Sequence, residues 1–585
     1  MAIVIKNFKG TVPTISPKLL PENFAQIAKN CDLKTGKLKS LKSPAMEIQF
    51  EESSDLRSVY KEEGINKWLY WTESDISIVK AQLADGDNRL FYTGDGYPKQ
   101  TDDTLFPSTG MPDSTADYRR LGVTPPSTTL TINGPYGTGD GETKYSVSYY
   151  YTYVVKWADG TEEESKPVAA TAVIDVEGGE YLALSGFVKP TLVDSGNDVT
   201  HFRVYRLNSG DAGSEYQLVK MRPGSTGATA IYDIPVADVP ESTTLVYDCD
   251  STPDDLNNNL GEVCLTEKWA APPDDLAQIG QYQNGILAGF SGKQFCVSEP
   301  FIHYAWKTAN RITLNYTPVA WGAYRGMAIV ATTAFPSIIT GADSSTLMQE
   351  TLNYNQGCLS ARGFVITDIG ALYPSPDGMV LVNANGVKVL TAKILTKEQW
   401  KDMPPEGFTH ADLVSFYYDN VYIGFWKGTK RGFLFNFAED PYLVTFEIDK
   451  TIYHACIDPI DDSLYLLTYA PTNYSMDKWE GSATLLTNTF KSKIFTTSPT
   501  TFSFGKIIGN QGAGTPITFK LFGNGSQIQH DGVDWSKSVQ NTDIFRLPAG
   551  RRYETHEIEI SGQAEVDMII LANSGREIAK VVATL

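Results

Sequence analysis

Side chains suited to chemistry are spread thinly along this chain of 585 residues. Its six histidines, His201, His303, His410, His454, His530 and His556, lack the HxH or HExxH spacing that would bring two imidazoles to one metal. Asp85-Gly86-Asp87-Asn88 and Gly94-Asp95-Gly96 carry the oxygens a Ca²⁺ ion takes, but without the register and closing Glu of an EF-hand loop they read as solvated turns. No GxSxG is present, and Gly137 to Gly141 lack the Lys-Ser/Thr that completes a phosphate-binding loop. Arg119-Arg120 and Arg551-Arg552 are adjacent pairs, which on a strand face opposite sides and do not make one pocket. The residues therefore nominate no nucleophile, no metal site and no cofactor, and the chain is read as a non-enzyme.

Charge is the patterned chemistry that remains. With 49 basic and 69 acidic residues the formal net charge is −20, which argues against holding nucleic acid by blanketing its phosphates. The first 50 residues run the other way, with eight lysines against Glu22, Asp32 and Glu47. Lys34, Lys37, Lys39 and Lys42 are the candidate assembly contacts, toward a neighbouring subunit or an adaptor; a solvated strand face would use the same residues. Residues 121–265 are the acidic extreme, 21 acidic against 8 basic. Cys31, Cys249, Cys264, Cys296, Cys358 and Cys456 show neither CxxC nor metal-ligand spacing and read as buried thiols of a protein made in a reducing cytoplasm. No window approaches the roughly 20 apolar residues of a membrane span, and Ala2-Ile3-Val4-Ile5 is too short for a signal-peptide core.

The elements that must position these residues are strands. Ala411 to Lys450 reads as four of them: an apolar and aromatic run to Tyr418, a turn at Asp419-Asn420, a return through Val421 to Trp426, Phe433 to Phe437 after a second turn, and Tyr442 to Ile448. A four-stranded unit of about 40 residues is the length of one propeller blade. Asn284-Gly285, Ser291-Gly292-Lys293 and the turn Ser375-Pro376-Asp377-Gly378 punctuate further hairpins, so the spacing predicts an all-β propeller of about five to seven blades. A composition shift at Thr124-Pro125-Pro126 opens a different module, with Tyr145 to Trp157 and His201 to Arg206 as strands of a small β-sandwich. Alternation puts Tyr149, Tyr151 and Tyr153 on one face and Tyr150 on the other, the pattern of a core with a rim rather than a stacking platform.

The expected organisation is a basic arm over 1–50, propeller over 51–123, an inserted sandwich over 124–265, the rest of the propeller over 266–486, and a β-rich closing or platform unit over 487–585. Within the arm, Phe24, Ile27 and Ala28 fall on one face of an expected short helix, and Lys37 to Lys42 alternate as an expected strand.

Several segments carry resemblances. "RVYR…EYQLV" in the sandwich resembles a fibronectin type III module, and Ser375 to Gly378 resembles the Asp-box turn of sialidase-like propellers, with Met379-Val380 where Thr-Trp normally follows. The opening "NFKG…P", the arm "LLPENFAQIAKNCDLKTGKLKSLKSP", the run "PPDDLAQIGQYQNGILAGFSGKQFCVSEPFIHYAW", and "FRLPAGRRYETHEIEISG" with "ILANSGREIA" together resemble the distal tail-tube, or nozzle, proteins of short-tailed bacteriophages, called tail tubular protein B. The Gln-Gln-Pro frequent in the opening of that family is absent. The resemblance implies a structural virion protein: a homohexameric ring docked below the portal and adaptor, bearing fibres or spikes, meeting the host envelope at infection, and passing genomic DNA without tight binding. Two other classes fit the same elements. A glycan-binding adhesin or receptor-binding tail protein requires an exposed aromatic groove with Asp or Asn nearby. A propeller glycosidase requires paired carboxylates, or an arginine cluster with a Tyr nucleophile.

Overall fold

In the computed structural model, the described residues are all except 1, 52–54, 63–66, 73–74, 81–88, 108, 142–143, 158–159, 190–198, 211–212, 250–259, 438–439, 459, 511–515, 549 and 584–585. Their regular secondary structure is almost entirely strand, and the strands form three units.

The first unit is a propeller of seven antiparallel blades among the described residues, the last two continuous through one long strand. Leu56–Glu62 and Lys67–Thr72 form blade one, and blade two runs from Ser77–Lys80 to Arg119–Arg120. Blade three spans Ala277–Gln281 to Ile312–Thr313, blade four Pro318–Tyr324 to Met348–Thr351, and blade five Val365–Thr367 to Gly386–Val389. Blade six is the expected four-strand unit: Leu413–Tyr418, Val421–Trp426, Thr429–Asn436 and the first half of the long strand Tyr442–Asp458. Asp419 and Asn420 both take positive φ, 49° and 59°, as a two-residue hairpin turn requires.

Blade seven uses the second half of Tyr442–Asp458 with Ser463–Ala470 and Asn473–Lys478, and its fourth strand is Ala45–Gln49, contributed from the front of the chain. That strand closes the ring. Each pair of neighbouring blades shares an apolar core, for example Trp71 with Tyr92 between one and two, Phe295 with Trp321 between three and four, and Phe425 with Leu466 between six and seven. Leu56 and Val59 against Tyr465 and Leu467 complete the circle between seven and one.

The second unit leaves blade two after Arg120 and returns at Ala277. Two sheets face each other, one built on Thr131–Gly137, Glu180–Ser185 and Val246–Asp248, the other on Tyr149–Lys156, His201–Gly210 and Gly213–Val219. Tyr149, Tyr151 and Tyr153 are buried in the shared core with Phe187 and Phe202. Tyr150 on the opposite face is also buried, its ring stacked 4.1 Å from that of Tyr216.

The third unit corrects the reading of residues 1–50 as a separate arm. Ala2–Lys6 pairs residue for residue with Met568–Ala572, and Ala25–Lys29 pairs with Asn488–Ser492. Ile3, Ile5, Phe8, Phe24 and Leu38 share one core with Phe490, Phe519, Ile558 and Ile569, so the two ends of the chain build a single platform. Gly10 passes so close to the propeller that an added Cβ would collide with the Leu443 carbonyl oxygen.

The expected helix at Phe24 to Asn30 is a strand. A β-bulge between Ala25 and Ile27 breaks its alternation, burying Ala25 and Ala28 and exposing Ile27. Three-residue spacing of buried positions imitates a helical face. The expected strand over Lys37 to Lys42 shrinks to Lys39–Ser40, paired with Cys31–Asp32.

Candidate functional site

The four lysines singled out in the sequence do not form one basic face. Lys37 Nζ lies 2.5 Å from Glu565 Oε1 and 3.1 Å from Asp567 Oδ1, and Lys39 Nζ stands 3.7 Å from the other Glu565 oxygen. The hydrogen bond from Lys37 holds the Glu565 carboxyl below the usual carboxylate range. Lys34 pairs instead with Asp419 in the tight turn of blade six. The Lys42 backbone N–H donates to Glu480 Oε1 at 3.4 Å; burial pushes that carboxyl up, against the pull of the Lys34 and Lys42 charges. The lysines thus divide into two sets, one binding the platform to itself and one binding it to blades six and seven. Lys29 adds a third link, 2.5 Å from Glu447, whose other oxygen is 3.8 Å from Arg431 Nε.

A second joint, which the sequence did not reveal, fixes the sandwich to blade two. Glu163, in the strand Glu162–Glu164, is buried and accepts from Gln100 Nε2 at 3.0 and 3.1 Å and from Trp157 Nε1 at 3.1 Å. Arg89 Nη1 lies 3.7 Å from it, and the Arg89 and Arg119 guanidinium carbons sit 4.0 and 4.3 Å from the Trp157 ring centroid. Burial raises the carboxyl's pKa, and Arg89 is the largest opposing influence. Arg120, beside Arg119, turns the other way to Asp274 and Tyr97, as adjacent residues on a strand must. A further pair, Arg206 Nη1 to Asp248 Oδ2 at 2.7 Å with Tyr149 Oη donating at 2.6 Å, ties the two sandwich sheets together.

The remaining candidate residues stay apart. His410 stacks on Trp400 at 3.9 Å, His303 meets Phe91 at 4.9 Å and His556 meets Phe502 at 4.7 Å, and burial lowers the pKa of each. His530 is exposed beside Asp531. Among the described residues no three His, Cys, Asp or Glu side chains gather as a metal site would require. Asp95 is bonded by Lys99, whose ammonium lies 4.0 Å from the Tyr118 ring centroid, while Asp85-Gly86-Asp87-Asn88 lies outside the described residues. Asp377 in the Ser375 to Gly378 turn accepts from Gln356 and Lys397, both at 2.6 Å.

No protein-family model and no curated protein matches the chain. Among solved structures it is similar to apo AztD from Citrobacter koseri, with 10% identity over 71% of this chain and 98% of that one and a TM-score of 0.27. The AfRom2 CNH domain gives 9% identity, 66% and 96% coverage and a TM-score of 0.25. A protein of unknown function from Bacteroides thetaiotaomicron gives 10% identity, 62% and 92% coverage and a TM-score of 0.24. Likeness at these scores carries no argument about function.

Proposed function

We propose that this chain is a structural ring subunit, the distal tail tube or nozzle of a short-tailed phage, assembling as a homohexamer below a portal or adaptor. The observation that carries the reading is mechanical. The platform is woven from both ends of the chain, the propeller is closed by a strand from residues 45–49, and the sandwich is clamped to blade two by a buried carboxylate. Such interlocking suits a part that must stay whole under load, and no group of three His, Cys, Asp or Glu side chains that could hold a metal gathers among its described residues. The net charge of −20 suits a conduit that passes a polyanion without retaining it. Under this reading the sandwich is the attachment point for a fibre or spike. Lys34, Lys37, Lys39 and Lys42 serve assembly by exchanging their present acidic partners for those of a neighbour. Antibody labelling of intact particles tests the location: label confined to the tail tip supports the reading, and label on capsid or on free cell debris alone removes it.

One observation favours a receptor-binding role for the same module. A groove of about 660 Å³ on the sandwich is lined by Tyr150, Tyr216, Pro125, Pro126 and Pro167 beside Lys166 and Glu267. Saturable binding of host surface glycans by the whole protein would support that second reading.

A further inference from the structure

A cavity of about 340 Å³ opens near the propeller axis, at the end where the inner strands of blades two to five begin. Asp75, Ser77, Gln278, Trp321 and Arg362 are among its lining residues. Arg362 Nη2 donates to the Ile76 carbonyl oxygen at 2.6 Å, and no carboxylate among the described residues lies within ion-pair distance of the guanidinium. A guanidinium carries five N–H donors in a planar fork, so most of its donor capacity is unspent. Burial draws its pKa below the ordinary arginine value, and Asp75 is the group that opposes this.

The second cation, Lys427, stands beside the lining rather than in it: it lies in the turn between Val421–Trp426 and Thr429–Asn436, with Nζ 3.6 Å from Oδ1 of the lining residue Asp75. His454 is buried behind these groups; its pKa is driven down by burial first and then by the Arg362 and Lys427 charges, so the imidazole is neutral near pH 7. Two cations therefore face one carboxylate inside a chain whose net charge is −20. Asp75 engages Lys427 loosely and is itself more than half exposed.

We propose that this axial cavity binds a tetrahedral oxyanion, free phosphate or the phosphate of a small monoester, held by the Arg362 fork and the Lys427 ammonium. The pairing suits the ligand: a planar fork reaches two oxygens of one phosphate, and an ammonium supplies a point charge to a third. The volume lies at the small end of the range, about 300–1,000 Å³, that small-molecule sites occupy. Asp75 repels the ligand and competes for Lys427, which makes it the residue that weakens the site.

The test is calorimetric titration of the full chain with sodium phosphate, against sodium chloride at equal ionic strength, with phenyl phosphate as a second arm. One saturable site for phosphate or phenyl phosphate is expected; tighter binding of the ester assigns a monoester ligand, and equal binding the free anion. Lys427→Gln is expected to weaken binding about tenfold and Asp75→Asn to tighten it several-fold, changes of opposite sign at positions that are not buried. Arg362→Gln should abolish binding, and the two milder variants keep the test valid if that one does not fold. Absence of saturable heat for either ligand up to roughly 10 mM overturns the proposal, as does unchanged affinity in both Lys427→Gln and Asp75→Asn.

Discussion

Replacing Glu163 with alanine should loosen the sandwich from the propeller without unfolding either. The carboxylate gathers Gln100 from blade two, Trp157 from the sandwich and the Arg89 guanidinium into one buried knot, with Arg89 also donating to Thr161 Oγ1 at 2.8 Å. Removing one partner of a buried ion pair costs about 3–5 kcal/mol where the remaining charge has no other partner. The lower end applies here, since burial has already raised the carboxyl's pKa and so lessens what its ionised form contributes. Glu163→Gln also removes the partner charge of Arg89 but retains an acceptor for Gln100 and Trp157, so it should cost less than alanine by about 1–3 kcal/mol, the penalty of leaving buried donors unsatisfied.

The pH dependence has a definite sign. Because the folded-state pKa lies above the ordinary 4.5, the folded joint holds more protons than the opened one between that value and the raised one. This group's contribution is therefore fully present below pH 4.5 and declines as pH rises through the window. Hydrogen exchange is the assay: in Glu163→Ala, protection should fall in Lys99–Thr101 and Glu162–Glu164 and stay unchanged in Val421–Trp426. Unchanged protection at the joint would refute the reasoning, as would equal losses in the alanine and glutamine variants.

Other outcomes follow from the same structure. Phe8 is fully buried and meets Phe490 edge-on at 5.0 Å, so Phe8→Ala should cost about 3–5 kcal/mol in denaturant unfolding of the platform; a change under about 1 kcal/mol would mean the front of the chain is not part of that core. The quadruple K34E/K37E/K39E/K42E variant should weaken assembly in a salt-sensitive way, each exposed pair contributing no more than about 1 kcal/mol; wild-type assembly at low salt would reject the lysine contacts. Glu565 titrates oppositely to Glu163: its pKa is lowered, so its pairing contribution is present above pH 4.5 and lost as pH falls, measurable as selective weakening of the platform in acid. The assembled ring should show no saturable binding of duplex DNA below micromolar concentration near physiological salt in anisotropy titrations, and tight binding that survives the lysine changes would end the conduit mechanism.

The propeller was legible because a blade is local. Asp419-Asn420, Asn284-Gly285 and Ser375 to Gly378 lie between strands that pair with their sequence neighbours, so turn chemistry and alternation suffice to find them. The platform was hidden because its pairings are remote: Ile3 opposes Leu571 and Lys29 opposes Thr489, distances along the chain that no local pattern records. At Ala25 to Ala28 a bulge forged a helical spacing in a strand. Strand alternation places Tyr149, Tyr151 and Tyr153 in the core, while Tyr150 is buried too, under a groove that only the fold assembles. Glu163 gave no signal, because its significance depends on Gln100 and Arg89, both more than 60 residues earlier.

The central claim, that this chain is a ring subunit around the genome exit, is tested most directly by symmetry-free class averages of tails from intact particles, with the chain's own envelope located by antibody. Six copies surrounding an axial channel at the distal end of the tail is the predicted result. Isolated monomers at the tail, or absence of the chain from it, would contradict the account, whereas purified monomer would not, since an adaptor is expected to nucleate the ring.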